Sequence, residues 1–364
     1  MPATARSADA FDGSSRRDLA LCFAPAVKVL WRSPSQLQLE LGQRRIVLDG
    51  PSVHLLERVL GDRTAADEAV GTAGPDRETR DLLEFLHRAG FLCPAGSARG
   101  ALDAEWAADR LAFAPDLAAL GERFGEHGVD VLRRRRARAV SVVGSGRLPA
   151  LVSALLAAAG IGRVHPGGDG DVSLWDVIPG GLTHHDEGRR LASAAAHATT
   201  RGAPATDTRA VALHEADLVV IAGATPIGAT AQTQLLIDGT THLCASVWGA
   251  SAVVGPLVVP GVSSCLGCAD RHRQDRDPAW PALAVQLAAV RRVPSDVAVC
   301  AFAAALTTMQ ALAYLDGDQP TTINGTLEMS LPDWRIRRRS WPTHGDCACR
   351  RWPATAPSMA EVSH

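Results

Sequence analysis

Two close pairs of cysteines constrain the fold of this 364-residue chain more than any other feature of its sequence. Cys265 and Cys268 form a C-x-x-C pair, and Cys347 and Cys349 form a C-x-C pair near the end of the chain. A tetrahedral Cys₄ zinc site takes two thiolates from each of two short turns. We therefore predict one structural zinc site, in which the two turns meet. Two unrelated pairs are the alternative, and a redox C-x-x-C is disfavoured because no strand leads straight into it.

The composition is that of a folded protein with a substantial core, because 46% of the residues are apolar and 21% are charged. The net charge of −2 provides no global attraction for nucleic acid or an anionic membrane. The basic run "RRRRARA" is interpreted as a solvated flank, and no apolar run reaches the roughly 18 residues of a membrane helix. We predict a cytoplasmic protein without nucleic-acid or membrane partners. Four further cysteines are interpreted as small buried hydrophobes: Cys22, Cys93, Cys244 and Cys300.

Residues 21–95 have the pattern of a small winged-helix-like domain. The runs "AVKVLWR", "QLQLEL" and "RIVL" predict an antiparallel meander, and "FLCP" predicts a returning strand. The segments "SVHLLERVLG" and "DRETRDLLEFLHRAG" have helical apolar spacing, and "RTAADEAVGTAG" predicts a weaker helix. DNA binding is disfavoured because the long helix carries acidic residues that would repel phosphate. Capture of a peptide at an edge strand fits the charge better.

The edge strand "RRIVL" and the long helix are the predicted peptide site. An extended peptide can add to an open sheet edge, where main-chain hydrogen bonds provide affinity and side-chain pockets provide specificity. The long helix would form the other wall of the groove. The predicted contact residues are Arg44, Arg45, Ile46, Val47, Leu48, Leu83 and His87.

Residues 138–352 are predicted to form a Rossmann-like α/β domain after a helical linker at 96–137. The segment "ARAVSVVGSGRLPALVSALLAAAGIGRVHPG" predicts a strand, a glycine turn, an apolar helix and a second strand. Gly144 and Gly146 permit a tight turn of the kind that faces a phosphate, but Pro149 removes an amide donor from the helix start. Residues 1–20 and 353–364 are expected to be disordered.

The order of these motifs resembles the ThiF/MoeB adenylyltransferase fold, which ubiquitin-activating enzymes share. The N-terminal unit together with "VVGPLVVPGVSSCLGCADRHRQDRDPAW" more narrowly resembles the ocin-ThiF-like proteins of azole-forming pathways for ribosomally synthesised peptides, such as thiazole/oxazole-modified microcins. The resemblance implies that the N-terminal unit is a recognition element for a precursor's leader peptide. It also implies a partner, a YcaO-type cyclodehydratase that forms azolines.

The same resemblance implies which residues adenylation would require. Active members use an acid after the second strand, a following lysine, and a magnesium-binding aspartate after a later strand. Here Gly168 takes the acid position beside Asp169, Leu191 takes the lysine position, and "IAGATPIGATAQ" contains no carboxylate. Because adenylyl transfer needs metal and fixed cations, we predict a non-adenylating scaffold. Gly144 and Gly146 would then be a vestigial nucleotide turn, and ATP is not an expected cofactor. The alternative is an active ATP-dependent adenylyltransferase acting on a peptide or carrier-protein C-terminus.

Two segments keep two interpretations each. The charged run at 271–277 fits either a docking loop for a partner enzyme or the solvated start of a helix. The apolar segment "LVSALLAAAG" fits either a core helix or a homodimer interface, so the oligomeric state stays open between a monomer and a homodimer.

Overall fold

The computed structural model describes residues 21–60, 77–94, 112–223, 227–290 and 293–351. The chain forms two compact units, Met1–Asp130 and Val131–His364, which we call the N-terminal and C-terminal units. The predicted disordered ends at 1–20 and 353–364, and the weaker helix after Gly61, lie outside the described residues. The predicted linker contains the boundary between the two units.

The N-terminal unit is built on the predicted antiparallel meander, which the strand pairing confirms. Its strands are β2 (Lys28–Ser33), β3 (Gln36–Leu41) and β4 (Arg44–Asp49), and they follow one another in the order β2-β3-β4. Every second side chain of β3 is buried, which is the period-2 pattern of a strand with one face on a core. The register pairs Leu37 with Leu48 and Leu39 with Ile46.

Helices and a second small sheet complete this unit. The apolar side of α2 packs against the strands and buries Leu83 and Leu86 in the same core as Leu39 and Phe91. The segment "FLCP" forms the predicted returning strand, which pairs antiparallel with the first strand. The elements are β1 (Leu21–Phe23), α1 (Pro51–Leu60), α2 (Arg77–Arg88), β5 (Leu92–Pro94), α3 (Ala114–Phe124) and α4 (Gly128–Arg136), the last of which crosses the boundary between the units.

The C-terminal unit contains a seven-stranded mixed sheet in the order β12-β11-β10-β9-β8-β6-β7. The strands β6 to β9 are parallel, and β10 to β12 continue the sheet antiparallel. Apolar runs such as "LVVIA" in β8 are expected for strands that are covered on both faces. The strands are β6 (Ala139–Gly144), β7 (Arg163–Pro166), β8 (Leu218–Ala222), β9 (His242–Trp248), β10 (Ser251–Val258), β11 (Gly325–Ser330) and β12 (Arg337–Ser340).

Two apolar helices form much of the core around this sheet. The helix α5 carries "LVSALLAA" and is buried over most of its length, so it is a core helix of this unit. The helix α10 is capped by Asp296, whose carboxylate accepts the amides of Ala298 and Val299. It is long and apolar enough to cross a membrane, but one face is buried in the core. The helices are α5 (Leu148–Ala158), α6 (Leu191–Gly202), α7 (Ala229–Ile237), α8 (Leu266–Arg276), α9 (Trp280–Ala288) and α10 (Val297–Leu315).

Two basic segments differ from the sequence interpretation. The charged run after Cys268 is helical as far as Arg276, so it forms the end of α8 and neither a loop nor a helix start. Within "RRRRARA", Arg135 is buried and makes a two-pronged ion pair with Asp316, while Arg133 and Arg134 are exposed. A run of identical residues hides which member points inward, because helical geometry turns each successive side chain by about 100°.

Candidate functional site

The two cysteine pairs meet in the C-terminal unit and form what we call the Cys₄ cluster. Cys265 lies at the start of α8 and Cys268 in its first turn, and the segment after β12 brings Cys347 and Cys349 against them. The Sγ atoms of Cys265 and Cys268 are 3.8 Å apart, and the pairs 265–347 and 268–349 are each 3.5 Å apart. Tetrahedral zinc with bonds of about 2.3 Å to sulfur separates its thiolates by about 3.8 Å. The four thiols therefore fit a metal ion such as zinc.

Burial and protonation also suit the Cys₄ cluster to a structural metal. Cys265, Cys268 and Cys349 are buried and Cys347 is half-buried. The hydrogen bond from the Cys265 thiol lowers the pKa of Cys268 to about 4, and the same contact raises the pKa of Cys265. One sulfur is thus a thiolate near neutral pH, and a bound metal would displace protons from the others. Four protein ligands leave no coordination position open for catalysis.

The strand β4 presents an edge in the N-terminal unit. Among the described strands it pairs only with β3, so its other side offers a row of backbone N–H and C=O groups. Arg44 and Arg45 are exposed, Ile46 and Val47 are half-buried, and Leu48 is buried. These five residues are the predicted strand contacts, and the structure places them on one edge strand. The strand β2 is the opposite edge of the same sheet.

The end of α2 lies beside the start of β4. A terminal nitrogen of Arg44 donates to the carbonyl of Ala89 at 2.7 Å, and its guanidinium carbon lies 5.9 Å from the ring centre of Phe91. Ala89 and Phe91 closely follow the helix, so Arg44 ties strand and helix together. Leu48 and Leu83, both predicted peptide contacts, lie in the core of this unit. The side chains of both residues therefore face the core and are nearly inaccessible to a peptide.

His87, the remaining predicted contact, lies in the last turn of α2 beside a cavity of about 400 Å³. Its Nδ1 atom is 3.1 Å from the carbonyl oxygen of Leu92, so the ring is held against β5. Leu117 and Phe124 from α3 line the same cavity. The cavity was not predicted, because its α3 wall comes from the segment that we interpreted as a linker.

The glycine turn lies at the carboxyl ends of the parallel strands. Gly144 has φ 142°, and a Cβ atom there would stand 1.6 Å from the carbonyl oxygen of Ala222 in β8. Only glycine allows this approach of β6 to β8. Gly146 has φ 83° and no atom within 4 Å of a Cβ position, so its role is conformational. Pro149 lies in the first turn of α5, as predicted.

A cavity of about 160 Å³ lies beside this turn, and Arg147 is the one arginine among the described residues that line it. Gly146, Arg147 and Leu191 are among the residues that line it. A terminal nitrogen of Arg147 donates to the carbonyl of Ser295 at 2.6 Å, while its Nε atom is buried and has no hydrogen-bond partner. Leu191, at the position where the resemblance implies a lysine, is buried and apolar. Arg147 thus brings a positive charge to the described wall of this cavity, and it was not singled out from the sequence.

Three carboxylates also line this cavity, and two of them have protein partners. Asp176 accepts from the backbone N–H of Ser173 at 2.8 Å, and Asp171 accepts from Arg190 at 3.2 Å. Asp169 is exposed at the same opening. All three follow β7, where Asp169 was named from the sequence beside the implied acid position, whereas the magnesium-binding carboxylate was sought after β8. The segment after β7 therefore places acidic side chains near the glycine turn.

No protein-family model and no curated protein sequence matches this chain. Solved structures do match it along nearly its whole length. The E. coli microcin C7 biosynthetic enzyme MccB in complex with N-formylated MccA is 16% identical, with a TM-score of 0.64, covering 91% of this chain and 99% of that one. E. coli MccB with ATP is 17% identical, with a TM-score of 0.63 and the same coverage. PaaA is 16% identical, with a TM-score of 0.63, covering 88% of this chain and 99% of that one.

The chain shares the fold of MccB and PaaA, a mixed α/β fold that is consistent with the ThiF/MoeB type. This confirms the resemblance at the level of the fold. The narrower resemblance to the ocin-ThiF-like proteins stays a prediction. The match to MccB covers 91% of this chain, so it extends over both units.

A third pair of cysteines was missed. Cys22 in β1 and Cys93 in β5 stand directly opposite one another, with their Sγ atoms 3.7 Å apart. Both are half-buried. They are 71 positions apart in the chain, so no local spacing could have revealed the pair. The contact between the two thiols raises the pKa of Cys22, so this thiol is protonated near neutral pH.

Proposed function

We propose that this protein binds the leader of a ribosomally synthesised precursor peptide and presents the peptide to a YcaO-type cyclodehydratase for azoline and azole formation. The leader would add as a strand to β4, with α2 as the second wall of the groove. Main-chain hydrogen bonds would provide affinity, and Arg45, Val47 and His87 would contribute to specificity. Capture of the leader raises the effective concentration of the core peptide at the partner enzyme.

The observation that carries this proposal is the edge of β4, which is unpaired among the described strands and contacts the residues after α2 through Arg44, in a chain whose fold matches that of MccB in complex with MccA. An unpaired edge invites pairing with other chains, and proteins usually block it with short strands or inward charges. Here the strand is six residues long, and only its first two residues and its last residue are exposed. Ile46 and Val47 leave an apolar middle that an extended peptide can cover.

The first test is binding of a fluorescently labelled leader, measured by polarisation. Candidate leaders are the N-terminal parts of short peptides encoded beside this protein's gene. We expect the full chain to bind one of them and a chain beginning at residue 131 to lose that binding. The zinc content of the shortened chain serves as the fold control, because the Cys₄ cluster lies wholly in the C-terminal unit. Equal binding by both chains would place the peptide site elsewhere.

The C-terminal unit is proposed to be a non-adenylating scaffold. The triphosphate of ATP carries several negative charges, and transfer requires them to be neutralised by a metal and fixed cations. The buried apolar side chain of Leu191 lines the cavity in place of the implied lysine, and Arg147 is already engaged by Ser295. Pro149 removes one amide from the helix start that would otherwise face a phosphate.

Active ATP-dependent adenylyl transfer to a peptide or carrier-protein C-terminus is the second candidate. It is favoured by one specific observation, the three carboxylates Asp169, Asp171 and Asp176 at the cavity, since carboxylates are ligands for magnesium. Exchange of labelled pyrophosphate into ATP separates the two candidates. The scaffold predicts no exchange above a buffer blank, with or without peptide, whereas an adenylyltransferase predicts exchange that depends on magnesium and peptide.

The proposed metal is zinc, held by the Cys₄ cluster as a structural ion. When bound, it would clamp the start of α8 to the segment after β12, and thereby hold the end of the chain on the sheet. Cys265, Cys268, Cys347 and Cys349 would each supply one thiolate. We further propose that the protein works in the cytoplasm, where leader peptides are made and thiolates are kept reduced.

A homodimer is also proposed. The helix α9 exposes apolar side chains, among them Leu283 and Val285, whose exposed fractions are 41% and 72%. Apolar helix surfaces of this kind often pack against another chain. Light scattering during size-exclusion chromatography measures the mass directly, and V285E should shift a dimer toward the monomer.

A further inference from the structure

A second cluster of metal-binding side chains lies beside the Cys₄ cluster. His272 and Asp275 are three residues apart on α8, so they project from the same side of the helix. His344, from the segment after β12, faces both of them. Its Nε2 atom is 2.9 Å from an Oδ atom of Asp275, and its ring centre is 4.9 Å from that of His272. One ligand atom from each residue lies within 4.8 Å of the others.

The hydrogen bonds of His272 leave one ring nitrogen ready for a metal. Its Nε2 atom lies 3.0 Å from the carbonyl oxygen of Pro342. A carbonyl oxygen can only accept, so Nε2 carries the proton and Nδ1 keeps a free lone pair. Metal-binding histidines have this arrangement, in which the nitrogen that does not bind the metal donates to a carbonyl or carboxylate.

His344 can also offer a ring nitrogen with a free lone pair, provided that one proton moves from Nε2 to Nδ1. Its Nδ1 atom accepts the backbone N–H of Asp346 at 3.1 Å, so Nε2 carries the proton and donates to Asp275. A metal at Nε2 requires that proton to pass to Nδ1 through solvent and the Asp346 amide to turn away. Gly345 lies between His344 and Asp346 and gives the backbone this freedom, because a residue without a Cβ atom has access to more φ and ψ angles.

We propose that His272, Asp275 and His344 bind a second divalent transition-metal ion, separate from the ion of the Cys₄ cluster. Two imidazoles and a carboxylate favour zinc, cobalt or nickel over magnesium or calcium, which prefer oxygen ligands alone. The carboxylate of Asp275 is 60% exposed, so the ion would keep water in its remaining positions. The ion would join α8 to the segment that carries Cys347, whose amide donates to the carbonyl of His344 at 3.1 Å.

The charges around the cluster set its affinity below that of the Cys₄ cluster. The guanidinium groups of Arg273 and Arg276 lie about 5 Å from the ring centre of Trp341, and the ring centre of His272 lies 6.4 Å from the same point. Arg273 is paired with Asp270 at 3.0 Å. Because these cations repel a dication, we expect the second ion to exchange more readily than the thiolate-bound one.

Cobalt alone is the probe that tests this proposal. Untagged full-length chain is first loaded with one equivalent of zinc, and Co²⁺ is then titrated while the visible spectrum and the bound cobalt are measured. We expect one further equivalent to bind, with cobalt d–d bands but without the sulfur-to-cobalt charge-transfer band of a thiolate site. His272→Ala and Asp275→Ala should each weaken this binding at least about tenfold, since even outer ligand partners are worth about 10–100-fold.

His185→Ala is the matched control, because His185 is an exposed histidine far along the chain from this cluster. It should bind cobalt as the natural chain does. Both test variants alter half-buried or exposed side chains of α8, and retention of the first zinc equivalent reports that the Cys₄ cluster is intact. Failure of the natural chain to bind a second equivalent would overturn the proposal. So would cobalt affinity that is unchanged in both variants, or a sulfur-to-cobalt band for the second equivalent. None of these outcomes depends on the leader peptide.

Discussion

Removal of the Arg135 side chain should destabilise the C-terminal unit more than most single substitutions. The guanidinium of Arg135 donates to both carboxylate oxygens of Asp316, at 2.8 and 2.6 Å, and to the carbonyl of Ala159 at 3.1 Å. The two side chains are only 6% and 1% exposed. Asp316 also lies at the carboxyl end of α10, where the helix dipole disfavours a negative charge. The charge and the hydrogen bonds of Arg135 therefore stabilise the buried carboxylate of Asp316.

Breaking a buried ion pair by removing one partner costs about 3–5 kcal/mol, because the other charge is left buried and unpaired. We expect that loss for Arg135→Met, and a similar loss for Asp316→Leu. The double variant R135M/D316L removes both charges and should recover most of the stability, since replacing such a pair with apolar groups is often close to neutral. Arg134→Met, an exposed neighbour on α4, is the control and should change stability by less than about 0.5 kcal/mol.

Urea unfolding is followed by tryptophan fluorescence, which reports mainly on the C-terminal unit because six of the eight tryptophans, including buried Trp341, lie there. The four free energies form a double-mutant cycle, in which the interaction energy should be on the order of several kcal/mol. Additive losses, with the double variant as unstable as the sum of the single ones, would refute the reasoning. A loss below about 1 kcal/mol for Arg135→Met would refute it as well.

Three further predictions concern the Cys₄ cluster, a buried histidine and the glycine turn. Mass spectrometry under native conditions should find zinc in the natural chain, and Cys268→Ser should lower zinc retention under a chelator, whereas Cys244→Ser, also buried, should not. Burial lowers the pKa of His242 to about 4, so between pH 4 and its ordinary value near 6.5 the unfolded chain binds a proton that the folded chain does not. Stability should therefore rise with pH across that window, by up to about 3 kcal/mol from this residue, and His242→Gln should flatten the urea-measured profile. Gly144→Ala should lower the free energy of unfolding by at least about 1–3 kcal/mol in the same urea assay, because its Cβ atom would meet a backbone oxygen. Gly146→Ala should lower it by less. The reverse order would contradict the close approach of β6 to β8.

The sequence was sufficient to predict features that depend on a local pattern of residues or on a residue type with distinctive chemistry. The alternating pattern of "QLQLEL" predicts β3, and two cysteine pairs predict that their turns meet. The glycines of the turn likewise predict a strand-to-helix junction. Each of these depends on chemistry that few residue types can supply, so one sequence is sufficient to find it.

Features made by distant side chains could not be predicted. The pair of Cys22 and Cys93 and the cluster of His272, Asp275 and His344 depend on tertiary contacts between distant segments. The magnesium-binding carboxylate was sought after β8, whereas the carboxylates of the small cavity follow β7, and of these only Asp169 was named from the sequence. The cap and ion pair of Asp176 and Asp171 arise from the irregular segment there, which has no periodic signal.

Proline substitution along β4 tests most directly the claim that a peptide adds to this edge. Backbone N–H groups alternate in direction along an antiparallel strand, so one of Ile46 and Val47 donates toward β3 and the other toward the open edge. One of Ile46→Pro and Val47→Pro should therefore keep the fold, judged by circular dichroism, and lose leader binding by polarisation. Leu30→Pro and Trp31→Pro in β2 are the matched pair on the opposite edge, and the folded one should bind normally. Full leader binding by a folded β4 variant would contradict the account.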